Sequence, residues 1–263
     1  MGIESKKMIY LTGDVHTKIL NHWEQKIAGS EIDAAKKYLE ILKKYNLSST
    51  LFINGKCLDE NPSKIRELLN YNVELGGHTY DNFGKMNIIK SYIYRKVWGS
   101  VYGPKSYQKK DIKRTKKSFE KFGLKMLSWR THAFNSSEKT FKILKDEEIR
   151  YISDLTGDIK PFEKEGIIHI PINLPIDQNT IAYGILKPES TNPFASCTKS
   201  RIKPEEWAEI VKKRIIKNEK EEIPSVLLIH PITMAVLDNF ELFEELVKFL
   251  SRYKTRKISE IRI

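Results

Sequence analysis

Three observations predict a single α/β domain built on a parallel sheet. Apolar runs that read as strands alternate with amphipathic runs that read as helices from Met8 onward. Four of the six histidines, His16, His78, His132 and His230, stand at the ends of strand-like runs. No internal repeat, low-complexity tract or Pro/Gly linker divides the 263 residues, so 1–263 reads as one domain. In parallel α/β sheets and barrels, functional groups collect at the carboxyl ends of the strands, so these four histidines face one rim.

The elements follow in order. Met8 to Leu11 is an apolar run that stops at Gly13. Glu31 to Asn46 places Ile32, Ala35, Leu39 and Leu42 at helical spacing. Ser49 to Ile53 reads as a buried strand, Pro62 opens a helix, and Tyr71 to Leu75 reads as a third strand closed by Gly76 and Gly77. From Phe83 to Lys110 no regular period holds, and the stretch reads as a packed, aromatic-rich rim loop. Beyond it come a helix from Asp111 to Phe122, strands at Lys125 to Trp129, Tyr151 to Ser153 and Ile167 to Ile170, and a helix around Lys139 to Leu144. A second long loop spans Asn173 to Lys203. Pro204 starts a helix, Ser225 to Ile229 is a strongly apolar strand, Phe240 to Leu250 is the last long helix, and Lys257 to Ile263 reads as a short final strand.

Composition narrows the class of function. The formal charge of +12 admits an anionic partner, but lysines and glutamates are interleaved along helix faces and form no basic tail, which fits a solvated basic surface. Cys57 and Cys197 have no metal-ligand spacing and form no disulfide framework, so both read as free thiols in a reducing compartment. The charged opening residues contain no secretory apolar region, and no apolar run reaches membrane-spanning length. A cytoplasmic protein is the expectation.

Asp14 and His16 are two positions apart at a strand end, where side chains i and i+2 point the same way and can converge on one ion. Alone, such a pair is a common strand end; the histidines at the other strand ends make it a candidate site. His22 and His169 lie outside that pattern and read as structural.

Several segments, in collinear order from Leu11 to about Leu250, resemble the polysaccharide deacetylases, the family 4 carbohydrate esterases. They are Ser49-Thr50-Leu51-Phe52-Ile53-Asn54-Gly55, Asn61-Pro62, Glu74-Leu75-Gly76-Gly77-His78-Thr79, Trp129-Arg130 and Leu227-Leu228-Ile229-His230-Pro231. The resemblance implies a distorted (β/α) barrel with about seven parallel strands. It also implies a hydrolase that removes the acetyl group of an N-acetylated sugar or related acetamide with a divalent ion, zinc being the first expectation. The family's usual first motif is Thr-Phe-Asp-Asp-Gly; aligned on Thr12, Asp14 falls on the general base and Val15 on the metal ligand. The second histidine of the family's His-x-x-x-His is replaced by Asn82.

Two assignments follow from the resemblance. In the first, favoured by the Thr12 register, Asp14 is the base and His16, His78 and Asn82 hold the metal. In the second, Asp14 is a ligand beside His16 and His78, and the base is missing. By the same resemblance His230 is the general acid and Arg130 orients the base. His132 replaces a usual proline and is assigned to substrate contact with Trp98 and Tyr102; for the loop aromatics, packing against the barrel is an equal alternative. The expected partner is an N-acetylated saccharide or glycan precursor. A barrel that binds saccharide or protein without catalysis, and a basic nucleic-acid-binding protein, are the competing functions.

Overall fold

The computed structural model describes residues 8–17, 23–84, 88–182 and 202–263. In chain order the elements are β1 (Met8–Val15), α1 (Trp23–Ala28), α2 (Glu31–Lys44), β2 (Ser49–Ile53), α3 (Gly55–Glu60), α4 (Pro62–Leu68), β3 (Val73–Gly77), α5 (Ile88–Trp98) and α6 (Lys105–Lys121). There follow β4 (Ser128–Trp129), α7 (Glu138–Asp146), β5 (Tyr151–Ile152), β6 (Phe162–Lys164), β7 (Ile167–His169), α8 (Pro204–Lys220), β8 (Ser225–Leu228), α9 (Pro231–Asp238), α10 (Glu241–Leu250) and β9 (Lys254–Thr255).

The strands run in the order β6-β7-β5-β4-β3-β2-β1-β8, with β9 also pairing with β1. From β7 to β8 along this path every pair is parallel, as in the expected distorted barrel; β9 also runs parallel to β1, and β6 joins β7 antiparallel. The β8 edge is joined to the chain after β7 by one side chain. Asn173 donates from Nδ2 to the Pro224 carbonyl at 2.8 Å and accepts the Val226 N–H at 2.9 Å. A side-chain amide there satisfies backbone groups that a further strand would otherwise pair.

Strand periodicity sorts the core. Ile9, Leu11 and Val15 of β1, Leu51 and Ile53 of β2, and Leu227 of β8 belong to the larger apolar cluster formed with the helices. Met8, Tyr10, Phe52, Val226 and Leu228 belong to a second cluster enclosed by the strands. Continuing the inner rows in steps of two reaches Thr12 and then Asp14 in β1, and His230 after β8. Gly76 keeps the inner row open. A Cβ there would lie 2.5 Å from Ser128 Oγ and 2.7 Å from the Phe52 ring, and that ring in turn lies 4.3 Å beneath the Arg130 guanidinium.

The structure corrects several sequence expectations. The 83–110 stretch is not an irregular loop: it contains α5 and the start of α6. Helices α3 and α9, unexpected from the sequence, follow β2 and β8 directly. The final residues form a 3-10 turn at Ile258–Glu260, and the last strand lies earlier, at Lys254–Thr255. Most of the second long loop, Cys197 and His22 lie outside the described residues.

Candidate metal and acid–base site

Arg130 organises the rim. It is fully buried and follows β4, where its N–H bonds to the Gly77 carbonyl at 2.9 Å. Its guanidinium donates to Asp14 Oδ1 at 2.7 Å, Thr12 Oγ1 at 3.1 Å, Ser153 Oγ at 2.8 Å and the Ser153 carbonyl at 2.9 Å. Burial would push the Asp14 carboxyl up, but Arg130 and, after it, the neighbouring imidazoles hold it well below the usual carboxylate range. Asp14 is therefore ionised across the neutral range, with Oδ2 placed 3.8 Å from His78 Nε2 and 3.9 Å from His230 Nε2.

Three imidazoles converge beside it. His16 Nε2 lies 3.1 Å from His78 Nε2, and His132 Nδ1 lies 3.4 Å from the same His78 nitrogen. The other nitrogens of two rings are committed: His16 Nδ1 faces Glu31 Oε2 at 2.9 Å, and His78 Nδ1 faces the Arg130 carbonyl at 2.9 Å. A carbonyl only accepts, so Nδ1 of His78 carries the proton and its Nε2 presents a lone pair; the same reasoning applies to a neutral His16 beside the carboxylate. Two lone pairs facing one another at this distance repel unless a metal ion or a proton lies between them.

The donor set fits a divalent ion. Three imidazole nitrogens with an open position is a donor set of catalytic zinc-like sites, whose bonds of about 2.0–2.1 Å place neighbouring ligand nitrogens roughly 3.3 Å apart. The carboxylate and carbonyl behind His16 and His78 fix their ring orientation, as outer partners of metal-bound histidines do. Burial lowers His78 to about 3, only partly offset by Asp14, and burial likewise holds His132 well below the usual imidazole value. Both rings are thus neutral and free to donate lone pairs. For His16, burial is outweighed by Glu31, which raises it.

His230 is held in the opposite state. Asp177 accepts its N–H at 2.7 Å through Oδ2 and faces its Nδ1 at 2.8 Å through Oδ1. Burial alone would favour the neutral ring, but the Asp177 carboxylate raises His230 to about 9. Its Nε2 is left facing Asp14. The rim therefore sets neutral imidazoles on one side of Asp14 and a protonated one on the other, a division of roles that acid–base chemistry requires.

Local backbone shapes the two loops that carry the outer histidines. Thr79, Asn82, Phe83, Ala133 and Phe134 all adopt the left-handed region, at φ values of 52 to 70°. Such strain clusters where side chains must be aimed against local preference. Asn54, at the end of β2, ties the loops together: its Nδ2 donates to the His78 carbonyl and, at 3.1 Å, to Asn82 Oδ1, while its Oδ1 accepts the Thr17 N–H at 2.9 Å.

The structure therefore redistributes some roles. His132 has its Nδ1 beside the His16 and His78 nitrogens. Asn82 has its amide oxygen engaged by Asn54. Val15 is fully buried in the helix-facing core. Tyr102 is fully buried with its hydroxyl donating to Asp111 at 2.8 Å, which removes it from substrate contact, and Trp98 packs edge-on against Tyr94 at 5.1 Å. The Gly103 N–H is bonded to the Ser100 carbonyl at 3.0 Å. His169 is a core residue, stacked on Phe162 at 4.8 Å. Glu31 and Asp177 escaped the sequence reading: the first looks like an ordinary acidic first turn after the Ser30 cap, the second is one polar residue among prolines.

The polysaccharide deacetylase family model matches residues 2–152. A polysaccharide deacetylase structure from Mycobacterium smegmatis superposes with a TM-score of 0.71 at 16% identity, covering 93% of this chain and 83% of that one. One from Pseudomonas aeruginosa PAO1 gives 0.67 at 13% identity, covering 96% and 87%. A family 4 carbohydrate esterase pseudoenzyme from Bacillus anthracis gives 0.56 at 17% identity, covering 98% and 66%. No curated protein matches the sequence.

Proposed function

Because the chain belongs to the polysaccharide deacetylase family, we propose that it is a metal-dependent amidohydrolase that removes the acetyl group from an N-acetylated saccharide or a related acetamide. The observation that carries this reading is the convergence of His16, His78 and His132 beside an Arg130-paired Asp14, with a protonated His230 opposite.

His16, His78 and His132 would hold the ion, which supplies acidification of a water and polarisation of the acetamide carbonyl. Asp14 Oδ2 receives the proton of the attacking water. Its pairing with Arg130 fixes the carboxylate but makes it a weak base, so orientation is its main contribution. His230 donates a proton from Nε2 to the departing amine, and Asp177 both supplies the charge balance and locks the ring. Zinc suits three imidazoles well, and the buried free thiol of Cys57 is in keeping with a reducing, cytoplasmic setting. Among the described residues no helix is long and apolar enough to cross a membrane.

The alternative of a barrel that has lost catalysis is favoured by Val15 and Asn82, which stand at two expected ligand positions, and three structural neighbours, the wild type and mutants of one protein, bear the description pseudoenzyme. Against that alternative stand His16 and His132, whose imidazole nitrogens gather with that of His78. Acetate release from N-acetylglucosamine oligomers and smaller acetamides by zinc-loaded protein separates the two. Turnover by wild type, abolished in His230→Ala with metal retained, is expected; full activity in His230→Ala would remove His230 as the acid, and metal binding without any turnover would favour the non-catalytic barrel.

A further inference from the structure

Helix α5 is apolar on two faces. One face packs on the body: Tyr94 meets Trp98 and Tyr107 edge-on at 5.1 and 6.4 Å, and Gly103 has no Cβ because one would lie 2.3 Å from the Tyr94 ring. The other face carries Ile89, Tyr92, Ile93 and Val97, which are 70, 62, 44 and 63% exposed. These spacings of three and four place them in one stripe, about 12 Å long. Four of the nine large apolar residues exposed among the described residues lie on this one helix. Scattered exposed apolar residues are ordinary, but a contiguous stripe on one helix marks a binding surface.

The charge around the stripe selects its partner. Between Asp81 and Asp111 the sequence has no acidic residue and seven Lys or Arg, three of them, Lys90, Arg95 and Lys96, on α5 itself. A second copy of the chain would set this single-signed segment against itself, which like-charge repulsion opposes. A nucleic acid would satisfy the charge but not the aliphatic side chains, since isoleucine and valine offer no stacking surface. An anionic bilayer satisfies both: aliphatic residues enter the headgroup boundary, Tyr92 sits at its level, and the cations meet the phosphates. α5 is also the next element after the loop that carries His78, so it lies on the side of the barrel where the strands end.

We infer that α5 is an interfacial helix that docks the protein, through Ile89, Tyr92, Ile93 and Val97, on an anionic lipid surface. The inference does not depend on the deacetylase reading. Its test is flotation of the full chain with vesicles of phosphatidylcholine alone and of about three parts phosphatidylcholine to one part phosphatidylglycerol. Wild type is expected to float with the anionic vesicles, less so as salt rises, and to stay behind with the neutral ones. The triple variant Ile89→Ser, Ile93→Ser, Val97→Ser, with an unchanged circular dichroism spectrum, should lose about tenfold or more in partition. Should that variant misfold, Arg95→Glu with Lys96→Glu gives the same reading at exposed positions. Absence of wild type from the anionic vesicles, or full retention by both variants, overturns the proposal. So would binding to an oligonucleotide, or a concentration-dependent dimer lost in the triple variant, without vesicle binding.

Discussion

His16 Nε2 and His78 Nε2 face each other at 3.1 Å, each ring having its second nitrogen engaged, by the Glu31 carboxylate and the Arg130 carbonyl. Neutral imidazoles so arranged repel through their lone pairs, and His132 brings a third nitrogen to the same point. Glu31 and Asp177 play parallel parts: each accepts the backbone N–H of a histidine and meets its Nδ1. Both act against burial to raise the imidazole they hold, and His230, whose Nε2 faces Asp14, is raised by that carboxylate as well.

The ligand set gives the first prediction. His132→Ala should reduce zinc affinity by about 10-fold or more, since a third imidazole is lost. Asn82→Ala should leave affinity within a few fold, because Asn82 Oδ1 is already bonded to Asn54. Competition with a chromophoric chelator measures both; the reverse ranking would restore Asn82 as the ligand.

The Asp177–His230 pair predicts a pH dependence. His230 is raised to about 9 chiefly against burial by Asp177, and the acid must be protonated to act. Turnover should therefore fall as pH rises through about 9. In Asp177→Asn the alkaline limb should move toward lower pH, and the profile of kcat against pH reads the shift directly. An unmoved limb would detach Asp177 from the proton donor.

Arg130 predicts a stability effect separable from catalysis. Arg130→Ala leaves the buried Asp14 carboxylate without its cation and leaves Ser153 Oγ and the Ser153 carbonyl without their donor. Removing one partner of a buried pair costs about 3–5 kcal/mol. Urea denaturation should show that loss in Arg130→Ala, and a smaller increment when Asp14→Asn is already present, because the uncompensated charge is gone.

Much of the barrel was legible because parallel strands buried on both faces read as continuous apolar runs, and four of them, β1, β3, β4 and β8, led to a histidine or arginine. Asp14, His78, Arg130 and His230 were found this way. α5 was hidden because it is apolar on both its packed and its exposed side, which erases the single-face period by which a helix is recognised. His132 was placed at the same rim but given another role for a different reason. Expectation followed the sequence-local position of Asn82, four residues after His78, whereas His132 reaches the site from the neighbouring strand β4, a contact that only the sheet order brings about. Glu31 and Asp177 had no local signature at all, since their role is defined by histidines 15 and 53 residues away.

The most direct test is the metal stoichiometry of purified protein equilibrated with zinc, measured by equilibrium dialysis and elemental analysis for wild type and His78→Ala. One tightly bound ion per chain in the wild type, lost in His78→Ala, is the expected result. A wild type that binds no ion, or a His78→Ala protein that binds it as tightly, would contradict the assignment of His16, His78 and His132 as a metal centre.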